Sequence, residues 1–182
     1  MVFLIDDFAG TGSTLIRFEK AQWKGRLEKF WANIHDKIST HFASDWRLHI
    51  HHYIATERAR LHISQREQER RFSAAAGPWL PAIEYSFGTI LPDSLSITAL
   101  SHPNFSSIMN RYYNPAIETK HTNVGGSKNI ANGYGGCGLP LVLEHNTPNN
   151  SVALLWAECD AKETEPTAPA MRPLFRRRQR HS

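Results

Sequence analysis

The stretch that decides the fold is Val2-Phe3-Leu4-Ile5-Asp6-Asp7-Phe8-Ala9-Gly10-Thr11-Gly12-Ser13-Thr14. Its first four residues are a short, unbroken apolar run, the pattern of a strand buried on both faces of a parallel sheet. Two adjacent carboxylates close the run, and open α/β sheets bind ligands in the crevice beyond their strand ends. A loop rich in glycine and hydroxyl groups follows. From Ser13 the apolar residues Leu15, Ile16 and Phe18 begin a helix, which Trp23, Leu27, Phe30, Trp31 and Ile34 continue at roughly helical spacing, with a break near Gly25. The stretch therefore predicts a β-loop-α unit.

This order of groups has a chemical meaning. Carboxylates at a strand end can accept hydrogen bonds from the vicinal hydroxyls of a ribose. Backbone amides and hydroxyls at a helix N-terminus favour a phosphate, because unpaired donors and the helix dipole both point at it. One motif would thus hold both ends of a ribose 5-phosphate. An ordinary glycine-rich β-α turn with a capping hydroxyl would account for the same glycines. A P-loop would not, since Gly-x-x-x-x-Gly-Lys is absent, and the glycine spacing does not match a dinucleotide fingerprint.

Working outward, Arg47 to Ile54 reads as a second strand with Leu48, Ile50 and Ile54 on one face and Arg47, His49, His51 and Tyr53 on the other. Thr56 and Glu57 open a helix through about Phe72, Ala74 to Pro81 breaks the pattern, and Ile83 to Ile90 is a third strand. A short helix runs from about Asn104 to Tyr113. Residues 114–138, polar and rich in glycine, read as a long loop over the site. Leu139 to Glu144 and Val152 to Trp156 are two apolar runs around Asn146-Thr147-Pro148-Asn149-Asn150, the turn chemistry of a hairpin. Strands alternating with helices predict an α/β fold with a mainly parallel sheet covered on both faces, and a hairpin-like strand pair near its C-terminal end.

The chain has 182 residues, 41% of them hydrophobic, which is enough for one buried core. One domain over 1–158 is expected, with 159–182 as a flexible linker and basic tail. The formal charge of +4 is held by the tail: Arg176, Arg177, Arg178 and Arg180 equal the whole excess of Lys and Arg over Asp and Glu. Such a tail can contact nucleic-acid phosphates, although a solvated run is the commoner meaning. Asp6 and Asp7 interrupt any signal-peptide core, and no apolar stretch is long enough to span a bilayer. With Cys137 and Cys159 alone, reduced thiols in a cytoplasm are expected rather than a disulfide framework.

The string Leu4 to Thr14 resembles the phosphoribosyl pyrophosphate motif of type I phosphoribosyltransferases, in which an apolar strand runs into two acids, three intervening residues and then Thr-Gly-x-Thr. Asp6, Asp7, Thr11, Gly12 and Thr14 match it position for position. The resemblance implies that Asp6 and Asp7 act at the ribose as catalytic residues and that Ala9, Gly10, Thr11, Gly12, Ser13 and Thr14 wrap the 5-phosphate. It also implies Mg²⁺ carried by the substrate's pyrophosphate. Together with Ile54-Ala55-Thr56-Glu57 and the segment from Leu139 through Asn146-Thr147-Pro148-Asn149-Asn150 to Trp156, the chain resembles the phosphoribosyltransferase-like domains of bacterial conflict and defence operons. Enzymes of the family place a pyrophosphate loop, other β-α units and a base-binding hood around this motif. Here the motif stands at the first residues, so the remaining parts lie on another chain, or the topology is rearranged, or the version is N-terminally shortened, which is the favoured reading; a partner subunit or a homo-oligomer is then an expectation.

Four further residues, Glu144, His145, Asn146 and Asn149, end the presumed strand beside its polar turn and are candidates for a substrate pocket. His49, His51 and His52 invite a metal reading, but no third ligand is fixed by spacing, so no metal site is assigned. Cys137 has no base identifiable beside it and reads as a structural thiol. Two functions of different kinds follow. One is binding of phosphoribosyl pyrophosphate or a nucleotide with transfer of the ribosyl phosphate group. The other is a non-catalytic nucleotide-sensing or partner-binding module, with nucleic-acid binding through the arginine tail as a third.

Overall fold

A computed structural model describes residues 1–119, 122, 129–160 and 169–175. It separates into two compact units, Met1–Asp93 and Ser94–Ser182.

The first unit is a three-stranded parallel sheet flanked by helices. Its elements are β1 (Val2–Ala9), a hairpin of β2 (Arg17–Glu19) and β3 (Gln22–Lys24), α1 (Arg26–Ile34), α2 (Ile38–His41), β4 (Leu48–Thr56), α3 (Glu57–Phe72) and β5 (Ile83–Leu91). The sheet order is β1-β4-β5, with both pairings parallel. The expected α/β architecture and all three principal strands are present. Register aligns Leu4 with Ile50 and Tyr85, and Asp6 with His52 and Phe87. These even-numbered β1 and β4 positions face a core completed by Leu15, Ile16, Leu27, Trp46, Ala59 and Ile63.

Two expectations are corrected here. No helix starts at Ser13. The chain instead turns twice through the β2–β3 hairpin, and α1 begins only at Arg26. Phe18 and Trp23, spaced as if on one helical face, are a cross-strand pair with ring centroids 4.9 Å apart. Lys20 and Ala21 make the turn with φ of 52° and 59°, a conformation that hairpins usually assign to Asn-Gly. Without that signal, periodicity favoured a helix. Gly25, where the break was expected, lies against the Leu15 carbonyl and precedes α1.

Among the described residues of the first unit, helices also cover only one face of the sheet. Phe3 and Ile5 are 59% and 61% exposed, and Tyr53 on the same side is 59% exposed. Strand order runs β1-β4-β5 in one direction, so right-handed crossovers carry α1 and α3 to one face. A reversal of order would be needed to bring a helix to the other.

Where α3 ends, it is clamped. Arg70 Nε pairs with Glu28 Oε1 of α1 at 2.6 Å, and its guanidinium lies over the Trp79 ring at 4.2 Å. Arg71 pairs with Glu67 and donates to the Leu80 carbonyl at 3.0 Å, fixing the segment that leads into β5.

In the second unit, α4 (Pro103–Arg111) overlaps the expected helix, starting one residue earlier and ending two earlier. Its core gathers Ile117, Ile130, Ala153, Ala157 and Met171. The expected hairpin of 139–144 with 152–156 is not formed. Leu139 makes one isolated parallel bridge to Ser151, and Ala153–Trp156 is a short helix, α5. Only Val152 in that run is β-branched, whereas Ala, Leu and Leu favour helix, and Trp156 Nε1 closes back on the Ser151 carbonyl at 2.9 Å. Within residues 169–175, Met171 also belongs to this core. Met171 is 3% exposed and pairs its backbone with Cys159. The arginines 176–180, Gly125 and Gly126 lie outside the described residues.

Candidate functional site

Strand β1 carries both acids of the motif. Alternation along the strand sends Asp6 to the helix-covered side with Leu4 and directs Asp7 the other way. The Asp6 carboxylate is ion-paired with the Arg26 guanidinium from the first position of α1, their side chains 32% and 58% exposed. Beside Asp6 in the sheet is His52, only 2% exposed and stacked on Phe87 with ring centroids 5.9 Å apart. Burial pushes the His52 imidazole below its ordinary value, and the neighbouring Asp6 charge only partly opposes this. Among the described residues, its Nδ1 has no hydrogen-bond partner.

The loop that follows is shaped by α3. Thr56, the N-cap of α3, accepts from the Ala59 amide at 2.9 Å and donates the same hydroxyl to the Gly10 carbonyl at 2.6 Å. One side chain thus fixes both the helix start and the loop. Gly12, with φ of 73°, lies so close to α3 that a Cβ there would sit 2.9 Å from Ile63 Cγ1 and 3.0 Å from the Ala59 carbonyl. Its own carbonyl accepts from the amides of Leu15 and Ile16 at 3.0 and 3.2 Å. His62 of α3 lies 3.0 Å from the Ile16 carbonyl, its imidazole also lowered by burial.

The loop keeps donors in reserve. Thr11 and Ser13 share a hydroxyl–hydroxyl bond of 2.7 Å, and the Ser13 amide leans on Thr11 Oγ1 at 3.3 Å. Among the described residues, no hydrogen bond uses the amides of Thr11, Gly12 or Thr14. Successive amides in such a turn form an anion-binding concavity without a helix N-terminus. The α1 N-terminus does not contribute to this loop, because α1 begins twelve positions beyond Thr14, by the numbering of Arg26.

Glu144, His145, Asn146 and Asn149 belong to the second unit, not to the one that carries the motif. Leu143 and Asn146 exchange backbone bonds of 2.9 and 3.2 Å, which leaves Glu144 and His145 exposed at a tight corner. Asn149 is exposed, and its carbonyl receives the Tyr134 amide at 2.7 Å. Asn150, not singled out from sequence, is buried and donates from Nδ2 to the Tyr134 carbonyl at 3.1 Å and to Cys137 Sγ at 3.4 Å. Together these bonds tie the Asn146–Asn150 turn to the glycine-rich 133–138 segment as a packed structural unit.

The family model PRTase-CE matches residues 1–177 of the chain. The chain belongs to the PRTase-CE family. Neither the curated proteins nor the solved structures compared with it give a match. A parallel sheet flanked by helices and a phosphoribosyltransferase-related module are what this membership carries.

Within this PRTase-CE chain, the other chemistry-bearing residues fall outside the motif. His49 Nε2 and His51 Nδ1 both lie against Ser86 Oγ, at 2.7 and 2.8 Å, on the open sheet face. Among the described residues, no group of three or more His, Cys, Asp or Glu converges as a metal site. Cys137 is buried and Cys159 partly so, and neither is in a disulfide. Among the described residues, no helix is long and apolar enough to cross a membrane.

Arg26 and His52 were missed as neighbours of the acids. Parallel pairing, which brings residue 52 beside residue 6, leaves no local mark in the sequence. Thr56 was legible as a cap, but not as the anchor of the loop.

Proposed function

We propose that the chain binds a phosphorylated ribose, either phosphoribosyl pyrophosphate or a nucleotide, at the C-terminal end of β1. The observation that carries this reading is the Gly10–Thr14 loop. Its shape is set from outside by Thr56 and α3, and it retains the amides of Thr11, Gly12 and Thr14 beside the hydroxyls of Thr11 and Ser13. Ala9 to Thr14 would wrap the 5-phosphate while Asp6 and Asp7 take ribose hydroxyls, with Asp6 exchanging its bond to Arg26 for the ligand.

In a complete reaction the bond from the anomeric carbon to pyrophosphate breaks and a bond to a nitrogenous acceptor forms, the acceptor losing a proton. The acids would orient the ring and stabilise the positive charge that develops at that carbon. Mg²⁺, when bound through the pyrophosphate, would offset charge on the leaving group. By its resemblance to conflict-operon domains, the protein would act in the cytoplasm as part of a defence system, with a partner subunit or a second copy completing it.

A second reading has its own support. The Arg26 guanidinium neutralises Asp6, and a neutralised carboxylate stabilises a developing cation less. That favours a nucleotide-sensing module that binds without turnover.

The test is thermal unfolding with Mg²⁺ and phosphoribosyl pyrophosphate, beside ribose 5-phosphate, AMP and pyrophosphate. Ligand at about 100 times Kd stabilises the folded state by roughly 2.7 kcal/mol. The shift should vanish in the Asp6→Asn, Asp7→Asn double variant, and a well-folded wild type that shifts with none of these ligands would end the reading. Turnover then separates the enzyme from the sensor. Binding of nucleic acid that survives deletion of Arg176 to Ser182 would dispose of the arginine-tail alternative.

A further inference from the structure

The β2–β3 hairpin that takes the place of the expected helix has two unlike faces. Phe18 and Trp23 pair on one. On the other, register sets Arg17 opposite Lys24, with Glu19 one pair further along. Glu19 Oε2 is 3.3 Å from Arg17 Nε and 3.6 Å from Lys24 Nζ, so two cations share one anion and this face has a net positive charge. These three side chains are about one-third exposed, at 31%, 29% and 34% for Arg17, Glu19 and Lys24.

Arg17 is also fixed to the motif itself. Its Nη1 donates to the Ser13 carbonyl at 3.2 Å, which holds the guanidinium against the loop whose amides are uncommitted. Nε is turned to Glu19, and among the described residues Nη2 makes no hydrogen bond. A phosphomonoester bound at this loop would carry nearly two negative charges, while Ala9 to Thr14 contain no cation and start no helix. Arg26, the next arginine along the chain, is committed to Asp6.

The geometry points to Arg17, supported by Lys24, as the cationic wall of the phosphate site. Its free Nη2 takes an oxygen of a sugar-phosphate dianion that the loop amides hold from the other side. Planar guanidinium donors match phosphate oxygens, and fixing Nε and Nη1 beforehand lowers the ordering cost of the remaining contact. This inference rests on the ribose-phosphate reading and assigns that site its charge selectivity: a dianionic phosphomonoester is favoured over the uncharged sugar.

Calorimetry with ribose 5-phosphate on the full chain tests it, with Arg17→Gln, Arg17→Lys and Glu19→Gln beside wild type and thermal unfolding as the folding control. Arg17→Gln should weaken binding about tenfold or more, the scale of one charge-assisted hydrogen bond. Arg17→Lys should recover part of it. Glu19→Gln separates a ligand contact from mere support: it frees both cations and should tighten binding several-fold, whereas a purely structural Arg17–Glu19 pair would give weaker binding. Wild-type binding that is unchanged in Arg17→Gln, or weakened in Glu19→Gln, overturns this assignment and leaves the parent reading standing. A folded wild type that binds no ribose 5-phosphate overturns both.

Discussion

Replacing Gly12 by alanine tests whether α3 shapes the motif loop. Gly12 has φ of 73°, where a side chain costs about 1–2 kcal/mol. Its added methyl would also meet Ile63 Cγ1 at 2.9 Å and the Ala59 carbonyl at 3.0 Å. The first neighbour can rotate, but the second is helix backbone. Relieving such overpacking typically costs about 1–3 kcal/mol more. Gly77 is the matched control, with φ of 70° and nothing within 4 Å of the added methyl. Gly77→Ala should therefore cost only the backbone share, while Gly12→Ala should cost roughly 3 kcal/mol in all. For a chain of this size each kcal/mol moves Tm by about 2–4 °C, so falls of roughly 6–12 °C and 2–8 °C are expected in thermal unfolding followed by circular dichroism. Because the clash lifts the loop off α3, ribose 5-phosphate affinity should fall in the first variant and hold in the second. Equal Tm losses in the two variants would show that the contact with Ala59 and Ile63 does not constrain the loop.

Thr56→Val removes the hydroxyl shared by Gly10 and Ala59 and should cost about 1–3 kcal/mol in urea unfolding, while Thr56→Ser, which keeps both bonds, should stay close to wild type. Glu28→Ala leaves Arg70, whose side chain is 4% exposed, with the Gly77 and Pro78 carbonyls and the Trp79 ring among the described residues, and should destabilise by about 2–4 kcal/mol. The lowered His52 and His62 values fix a sign: the unfolded chain takes up protons near its ordinary value of 6.5 that the folded chain refuses, so stability is full above that pH and falls as pH drops below it. His52→Phe should flatten this fall, and an undiminished acid slope in that variant would remove His52 from the account.

What the sequence could disclose was set by the range of each signal. β1, β4 and β5 were legible because their apolar runs are local and bounded by turn residues, and α3 because Thr56 and Glu57 mark its start. The first helix was misplaced because an aromatic hairpin with non-glycine residues at φ of 52° and 59° has the same spacing of large apolar groups as a helix face. The open sheet face was equally hidden. A run such as Val2 to Ile5 records that a strand is apolar, whereas the burial of Phe3 and Ile5 depends on how the crossovers are ordered. In the second unit, one β-branched residue at Val152 was too little to distinguish a strand from the turn of helix that Ala153 to Trp156 form.

The misplaced helix changes the electrostatics of the site more than its outline. A phosphate at a helix N-terminus would draw on a dipole that acts only within the first turn. With α1 starting at Arg26, that contribution from α1 is not available to Gly10–Thr14, and the nearest helix start is that of α3, whose N-cap Thr56 already bonds the Gly10 carbonyl. More of an anion's charge then falls to the loop's own amides and to the side-chain cations Arg17 and Lys24, which are long, about one-third exposed and screened by salt. Affinity for a sugar phosphate at this site should therefore fall with ionic strength more steeply in wild type than in Arg17→Gln, where one cation of the hairpin face is gone. Parallel salt dependences in the two proteins would mean that the amides alone hold the phosphate and that the hairpin only braces the loop.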